Sequence, residues 1–324
     1  MKNQHQALLT LILATAIFTL NTSAWSEWTV VDRENDALPG RIIEIDHDGT
    51  RVAGFVYGPQ EEGQIKPYLS VYDEEGHRLT NPGIDSDGET RGRFPHHRGI
   101  FIGWNQVQSD LGSDDLWHLR GDERMELISI ERKEATSDGA RLDLLIHWLS
   151  SDRDDESNGL LVAERRTIEV TRMRGRTVVD HRSEMTAKRD LKLHGDLQHA
   201  GLHFRADAEV DEVRGDTKYL WSPAHLSPGG GRIVSDELNW VNFRYPLHGN
   251  WYSVTQLNRP ENRSTELSWR DYGRFGFFFT DELSEGEVRT MTGRFLIERM
   301  EEKADDKAAI RRQADQEHSA YLGQ

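Results

Sequence analysis

Short segments of alternating apolar and polar residues, separated by turn residues, run through most of this chain. Arg41–His47 and Arg51–Tyr57 flank the Asp48-Gly49 pair, a combination that predicts a tight hairpin. Leu160–Thr171 and Thr177–Thr186 predict a second, longer hairpin. Few segments before residue 300 show helical periodicity, and no repeat of fixed length is present. The sequence therefore predicts an all-β fold, a large antiparallel β-sandwich.

The first 24 residues have the layout of a secretory signal peptide. Lys2 gives a positive start, the apolar run Ala7–Leu20 follows, and Thr22–Ala24 supplies small residues for cleavage. The apolar run is shorter than the roughly 20 residues that span a bilayer, and an uncleaved N-terminal anchor is the alternative. We expect a bacterial protein, periplasmic or secreted, that begins near Trp25 and has no membrane contact after cleavage.

The rest of the chain is predicted to form one domain and a tail. Residues 25–300 are expected to be a single β-sandwich domain. Residues 301–324 are charged and rich in good helix formers, which predicts a short C-terminal surface helix. Its weak apolar face consists chiefly of Ala304, Ala308, Ile310, Ala314 and Ala320. The chain has no cysteine, so no disulfide or thiolate is available, which is ordinary in a bacterial periplasm.

The formal net charge of −16 argues against nucleic acid as a partner, since phosphate contacts require a basic surface. It also disfavours an anionic membrane surface, and an anionic ligand would need a locally basic cleft. The sequence has no G-x-S-x-G elbow, P-loop, H-E-x-x-H or G-x-G-x-x-G motif. Serine hydrolases, kinases, zinc peptidases and dinucleotide-dependent dehydrogenases therefore have little support.

A segment with two adjacent histidines is the first candidate site. His96, His97 and Arg98 follow Pro95 and lead into an apolar run. Neighbouring residues of a strand point to opposite faces, so we expect only one of the two histidines to face a ligand. We predict His97 as a general acid or base, Arg98 as an oxyanion or carboxylate anchor, and His96 as a substrate contact. The alternative is a loop whose imidazoles only satisfy backbone groups.

The strand that ends near residue 205 is the second candidate. Period-two projection places His199, His203 and Arg205 on one face, which predicts an open polar face of the sandwich. The histidines are predicted as partner bases or orienting groups, and Arg205 as a substrate ligand; a solvated surface is the alternative. Along a strand the two histidines lie roughly 13 Å apart, too far to chelate one ion. A metal would need a further ligand such as His97 or His118, and we expect no cofactor, with a divalent metal as the less favoured alternative.

Two further residues are predicted as additional acid or base groups, His118 and Glu164. A charge in the middle of a strand is costly unless it is exposed or has a partner. For Glu164, an ion pair with Arg166 or Arg182 is therefore the simpler structural alternative.

Tryptophans in or beside loops favour a carbohydrate ligand. Exposed aromatic side chains stack on the apolar faces of sugar rings. Trp117 and Trp251 are predicted to bind substrate in this way. Asn262 is predicted as a further substrate contact.

Several short motifs together resemble the PmoA-like domain family, a family of unknown function found in exported bacterial proteins. The most specific of them is Pro95–Gly99. The weaker ones are Lys66–Leu69, Leu116-Trp117, Leu161–Arg166 and Asn258–Asn262. The resemblance runs from about Arg41 to Arg299. It implies a β-sandwich that often accompanies sugar-degradation proteins, and it implies no established catalytic residues.

These predictions combine into one hypothesis about function. We expect an exported carbohydrate-active enzyme, a lyase, hydrolase or epimerase, that acts on a sugar or uronate in a cleft lined by histidine and arginine. Its ligand is then a small carbohydrate or an oligosaccharide. One alternative is a non-catalytic carbohydrate-binding protein that uses the same cleft. Another is a structural partner in an exported complex, docked through the C-terminal helix. The main hypothesis requires the candidate histidines to converge.

Overall fold

The computed structural model of the protein describes residues 27–35, 40–58, 66–84, 89–151, 159–196, 198–300 and 306–323. The predicted signal peptide, residues 1–24, and the predicted start at Trp25 lie outside these residues, so export stays a prediction. No helix among the described residues is long and apolar enough to cross a membrane.

Strands make up most of the described chain, which confirms the predicted all-β fold with a C-terminal helix. The strands are β1 (Trp28–Glu34), β2 (Arg41–His47), β3 (Thr50–Tyr57), β4 (Tyr68–Val71), β5 (Ile100–Trp104), β6 (Gln106–Ser109), β7 (Gly112–Asp114), β8 (Arg124–Ala135), β9 (Gly139–Leu149), β10 (Leu160–Met173), β11 (Arg176–Ala187), β12 (Leu191–His194), β13 (Ala200–Arg205), β14 (Lys218–Ser222), β15 (Arg232–Val234), β16 (Trp240–Leu247), β17 (Asn250–Leu257), β18 (Glu266–Arg270), β19 (Arg274–Phe278), β20 (Asp281–Leu283) and β21 (Val288–Met300). Short 3-10 helices lie at Ala208–Asp211, Arg214–Asp216 and Pro260–Asn262, and the helix α1 spans Lys307–Leu322.

In the described part of the chain, the strands form three antiparallel sheets. A nine-stranded sheet has the order β1-β2-β3-β4-β5-β13-β19-β18-β15, and an eight-stranded sheet has the order β14-β16-β17-β21-β11-β10-β9-β8. A four-stranded sheet has the order β20-β12-β6-β7. The two larger sheets share one continuous apolar core. Trp104 of the first sheet and Trp148 of the second meet in this core, with ring centroids 5.9 Å apart.

Both hairpins that the sequence predicts are present. β2 pairs with β3 through a turn in which Asp48 and Gly49 have positive φ angles of 51° and 76°. Positive φ at both central residues gives the turn whose twist matches that of the strands. β10 pairs with β11 up to the Met173–Arg176 turn. The local turn chemistry therefore determines the register of both pairs.

The nine-stranded sheet also buries side chains on its outer face, the face turned away from the main core. A second small cluster there consists of Ile42, Val56, Tyr68, Phe101 and Trp117. Trp117 comes from the loop after β7 and lies over Phe101, with ring centroids 4.9 Å apart. Loops thus cover the outer face of the central strands, where the sequence predicted an open surface.

α1 docks on the eight-stranded sheet. Asp306 caps its first turn, and Ala314 and Tyr321 pack in a cluster with Trp240. The buried side of the helix is formed by Ala314, His318 and Tyr321, with Ile310 packed against it, so Ala314 and Ile310 of the predicted face contribute while His318 and Tyr321 were not predicted. The difference has a simple cause, because a tyrosine ring buries far more apolar surface than an alanine methyl group.

Candidate functional site

The central strands β5 and β13 carry candidate residues on their outer face. Leu202 and Phe204 of β13 point into the main core. His203 points the other way and lies opposite Phe101 of β5, with ring centroids 6.0 Å apart. The period-two assignment is correct, but His203 and Arg205 are fully buried. The open polar face expected from the sequence is wrong, because the loops after β4 and β7 fold over it.

His203 is fixed as a neutral ring. Arg274 lies 3.2 Å from its Nδ1, and its Nε2 lies 2.8 Å from the carbonyl oxygen of Ala200. A guanidinium can only donate, so the ring proton sits on Nε2 and is donated to that carbonyl. Burial lowers the pKa of His203 well below its usual value. Gly276 makes room for the ring, since a Cβ there would lie 2.6 Å from its Cγ.

Arg205 has a structural partner as well. Its guanidinium lies 3.0 Å from Asp211 and 4.8 Å from the ring centroid of Tyr272. The predicted substrate-binding role of Arg205 is therefore not supported by its position, because its charge is already paired beneath the surface.

His96 and His97 lie in a turn just before β5, not in the strand. Their ring centroids are 4.2 Å apart. The expectation that the two rings point to opposite faces is wrong, since strand alternation does not apply in a turn. His97 is 1% exposed, and burial lowers its pKa well below the usual value.

Trp117 contacts both the turn that holds His97 and the strand β13 that holds His203. Its indole N–H donates to Nε2 of His97 at 3.0 Å. Its ring centroid lies 4.9 Å from His203 and 5.7 Å from His199. The segment of His96 and His97 and the segment of His199 and His203 therefore belong to one site. The indole of Trp117, which the sequence assigned to sugar stacking, is buried and packs between them.

The five histidines at this place are called the histidine cluster: His96, His97, His118, His199 and His203. His96 and His118 have ring centroids 4.6 Å apart, and His118 and His199 have centroids 4.8 Å apart. His118 is 9% exposed, and the side chain of His199 is 25% exposed. His97 and His203 lie beneath, whereas His96 is half-buried. We call His118 and His199 the outer pair, because these two rings have a carboxylate partner.

Each histidine of this outer pair is oriented by a carboxylate. Nδ1 of His118 lies 2.8 Å from Asp115, and Nδ1 of His199 lies 2.7 Å from Asp196. Asn105 supports the second pair by donating to the same carboxylate. A carboxylate accepts a hydrogen bond from the N–H of Nδ1, which leaves Nε2 of each ring as the nitrogen that can react.

The electrostatics agree with this orientation. Burial opposes ionisation of Asp115 and Asp196, yet the hydrogen bonds from the two histidines lower the pKa of both carboxyl groups. Burial lowers the pKa of His199 in spite of Asp196, so its ring is neutral near pH 7. His199 can therefore accept a proton, and the adjacent carboxylate would stabilise the imidazolium that forms.

Sequence reasoning missed both carboxylates, although a signal was present. Asp115 and Asp196 each stand three residues before a histidine, in the segments DLWH and DLQH. The repeated D-L-x-H spacing lets the aspartate reach the Nδ1 of its own histidine. Arg274 and Lys66 were also missed as site residues, although Lys66 begins the Lys66–Leu69 motif.

Three predicted site residues do not join the cluster. Glu164 is fully buried inside the sandwich and forms an ion pair with Arg166 at 2.7 Å, as in the structural alternative. Trp251 lies on β17, in the eight-stranded sheet. Asn262 is buried and accepts a hydrogen bond from the backbone of Thr292. Their predicted roles have no support from position.

A metal site needs several ligand atoms close to one another. Among the described residues, one set of three has ligand atoms within 4.8 Å of one another, namely Asp73, Glu75 and His77. Asp73 already accepts hydrogen bonds from Tyr252 and from the backbone N–H groups of the other two. The three residues therefore form a turn that Asp73 stabilises by hydrogen bonds. The expectation of no cofactor stays a prediction.

A family of unknown function (DUF6807) has a model that matches residues 42–311. The chain belongs to this family. The resemblance to the PmoA-like domain family is therefore wrong, since the matching model is a different one. No curated protein matches the chain. All five histidines of the cluster fall within the matched residues, so the site belongs to the family domain.

Several solved bacterial structures are similar to this chain. The Slr1438 protein of Synechocystis sp. PCC 6803 is 13% identical, with a TM-score of 0.45 and coverage of 83% of this chain and 99% of that one. A galactose mutarotase-like protein of Lactobacillus casei is 9% identical, with a TM-score of 0.40 and coverage of 84% and 100%. A galactose mutarotase-like protein of Clostridium acetobutylicum is 9% identical, with a TM-score of 0.41 and coverage of 84% and 99%.

Proposed function

We propose that the protein is a carbohydrate-active enzyme that transfers protons at a sugar or uronate, with His118 and His199 as its acid–base pair. The observation that carries the proposal is the matched orientation of two adjacent imidazoles. Both have Nδ1 held by a carboxylate, and their ring centroids lie 4.8 Å apart. Two such rings can remove a proton from one position of a substrate and return one to another.

The nearby carboxylates favour an epimerase or lyase over a hydrolase. Glycoside hydrolysis usually needs two carboxyl groups that flank the bond to be broken. Asp115 and Asp196 are each bonded to a histidine ring instead. In this role a carboxylate fixes the tautomer of the ring and stabilises its charged form. The proposed reaction is therefore proton transfer at carbon.

The roles within the site follow from exposure and charge. His199 is the base, because burial lowers its pKa and keeps the ring neutral. His118 returns a proton from its own Nε2, and for this its ring enters the step as an imidazolium paired with Asp115. His97 is a positioning residue rather than the acid or base predicted from the sequence, since its Nε2 already accepts the indole N–H of Trp117.

The test is exchange with solvent deuterium. The protein is incubated in D2O with a panel of neutral sugars and uronates, and deuterium at carbon is measured by NMR and mass spectrometry. His199→Ala should reduce incorporation by about 10²-fold or more, the scale for losing a general base. His225→Ala is the matched control, because the side chain of His225 is 70% exposed and belongs to no part of the cluster.

The outcomes separate the alternatives. Binding without incorporation, unchanged in His199→Ala, would overturn the proposal and favour a non-catalytic carbohydrate-binding protein. Cleavage of a glycoside without deuterium at carbon would favour a hydrolase.

A further inference from the structure

The two histidines of the outer pair have matching partners, yet the proposed reaction gives them opposite roles. His118 and His199 each follow an aspartate in a D-L-x-H segment, and each Nδ1 lies 2.7–2.8 Å from that carboxylate. A carboxylate partner alone therefore does not decide which ring is the neutral base and which is the charged acid. The two rings differ in their contact with Arg274, which holds the segment of His199 and forms no hydrogen bond with His118 or Asp115.

Arg274 lies on β19 beneath the histidine cluster and is 1% exposed. Its guanidinium donates to the carbonyl oxygen of Gln198 at 2.7 Å and to Oγ of Ser268 on β18 at 3.0 Å. That carbonyl belongs to the peptide bond that leads directly into His199. A guanidinium presents its donors in one rigid plane, so these two hydrogen bonds fix the start of the His199 segment relative to β18 and β19.

The charge of Arg274 has no counter-ion among the described residues. The groups that it contacts by hydrogen bonds there are a carbonyl, a hydroxyl and an imidazole. Two other buried arginines are paired, Arg205 with Asp211 at 3.0 Å and Arg166 with Glu164 at 2.7 Å. A buried charge without a counter-ion costs stability. The position of Arg274 is therefore better explained by its effect on the site than by stabilisation of the fold.

The charged and titratable groups that face His199 come from several elements. They are Asp196 of its own segment, His118 and Trp117 of the loop after β7, His97 of the turn before β5, and Arg274 of β19. Burial is the largest cause that lowers the pKa of His199, the hydrogen bond to Asp196 opposes it, and the charge of Arg274 lowers it further. Two other buried cations of this face, Lys66 and Arg98, line a small cavity on the side of the other ring.

We propose that Arg274 is a positioning residue that makes His199 the base of the outer pair. Its hydrogen bonds hold the peptide group before His199, and its uncompensated charge favours the neutral form of that ring. This inference rests on the proposed function, because it concerns the base of that reaction. Arg274 itself is buried and acts through His199 rather than on the substrate. Asp196 then stabilises the imidazolium that forms when the ring has taken the proton.

The first test follows the titration of His199 by NMR in the whole protein labelled with ¹⁵N-histidine, with the His199→Ala spectrum as the assignment. Arg274→Gln removes the charge and keeps a hydrogen-bond donor, so His199 should stay protonated to a higher pH than in the wild type. Arg274→Lys keeps the charge, so the titration should stay close to that of the wild type.

Arg289→Gln is the matched control for this titration. Arg289 is a buried arginine on β21 of the other sheet, and its guanidinium also donates to backbone carbonyl groups. Its replacement should leave the titration of His199 unchanged. An unmoved titration in Arg274→Gln would overturn the inference, and so would an equal displacement in Arg289→Gln.

The second test is the pH dependence of deuterium incorporation. His199 must be neutral to accept a proton, so Arg274→Gln should lose more activity at pH 5.5 than at pH 8. On the acidic side, each pH unit by which the titration moves lowers the neutral fraction by about tenfold. Arg274→Lys should instead lose about tenfold or more at every pH, because an ammonium cannot hold the two acceptors in one plane. An equal loss at both pH values in Arg274→Gln would contradict the role of the charge.

The wild-type protein gives a further test that stands even if the variants do not fold. Asp196 alone would make His199 titrate above the usual value near pH 6.5. Its titration should lie below that value, and a midpoint at or above pH 6.5 would refute the inference.

The two proposals fail separately. If His199 responds to Arg274→Gln as expected but no sugar incorporates deuterium, the enzyme is overturned and the effect of Arg274 on the ring remains. If incorporation depends on His199 while its titration ignores Arg274→Gln, the enzyme remains and the role of Arg274 is overturned.

Discussion

Glu164 is the candidate whose structural role can be measured most directly. It is fully buried between the sheets and accepts hydrogen bonds from Arg166 at 2.7 and 2.8 Å, from Ser183 at 2.7 Å and from Trp148 at 2.7 Å. Glu164→Leu keeps an apolar side chain in the space but leaves a guanidinium buried without its partner. Breaking a buried pair in this way costs about 3–5 kcal/mol. We expect a value at the upper end, because two further donors lose their acceptor.

Urea unfolding followed by tryptophan fluorescence measures this loss as a lower midpoint at constant slope. The double variant Glu164→Leu/Arg166→Met should be more stable than the single variant, because it removes the orphaned charge. Recovery should be partial, since the carbonyl oxygen of Pro67 also loses the donor Arg166. Arg165→Ala is the exposed control, with an expected change within about 0.5 kcal/mol. A loss below about 1 kcal/mol for Glu164→Leu, or a double variant no more stable than it, would refute the reasoning.

Three other predictions concern the site and the helix. Asp196→Asn should lower deuterium incorporation by about 10²–10⁴-fold, because the carboxylate no longer fixes the tautomer of His199, while the melting temperature changes little; an unchanged rate would contradict this role. Burial keeps His97 and His203 neutral when folded, whereas an unfolded histidine titrates near pH 6.5. The unfolded chain therefore binds more protons than the folded chain below about pH 6.5. As the pH falls below this value, the free energy of unfolding should decrease by up to about 1.4 kcal/mol per pH unit for each histidine. Urea unfolding curves that coincide at pH 7 and pH 5.5 would argue against it. Tyr321→Ala should cost about 3 kcal/mol by the same urea assay, and a change indistinguishable from zero would mean that α1 is not docked in solution.

The sequence predicted the strands well where the decisive information is local. The Asp48-Gly49 turn gave the β2–β3 hairpin because its two residues adopt positive φ. The alternation along β13 correctly placed His203 on the face opposite Leu202. The contacts of Asp115 and Asp196 could also have been predicted from the D-L-x-H spacing, because each aspartate contacts a histidine three residues away.

The burial of the site residues and their convergence into one cluster could not be predicted from the sequence, because both depend on which distant parts of the chain cover a residue. His97 and His203 were expected at a surface, yet Trp117 comes from a separate loop and buries both. For Glu164 the sequence already favoured an ion pair over a role in the site, and the structure buries it in an ion pair with Arg166.

The sequence by itself determined an all-β chain, its hairpins, a charged terminal helix and the face on which each strand residue lies. These properties follow from backbone geometry within a few residues, where alternation and turn chemistry act. Only the tertiary structure decided that the rings of residues 96, 118 and 199 are in contact, although residue 199 lies 81 positions after residue 118 along the chain. It also decided that a lysine and an arginine line a cavity beside them. The physical reason is that loop packing across the sheet sets desolvation and neighbours, and those two quantities decide which ionisable groups can do chemistry.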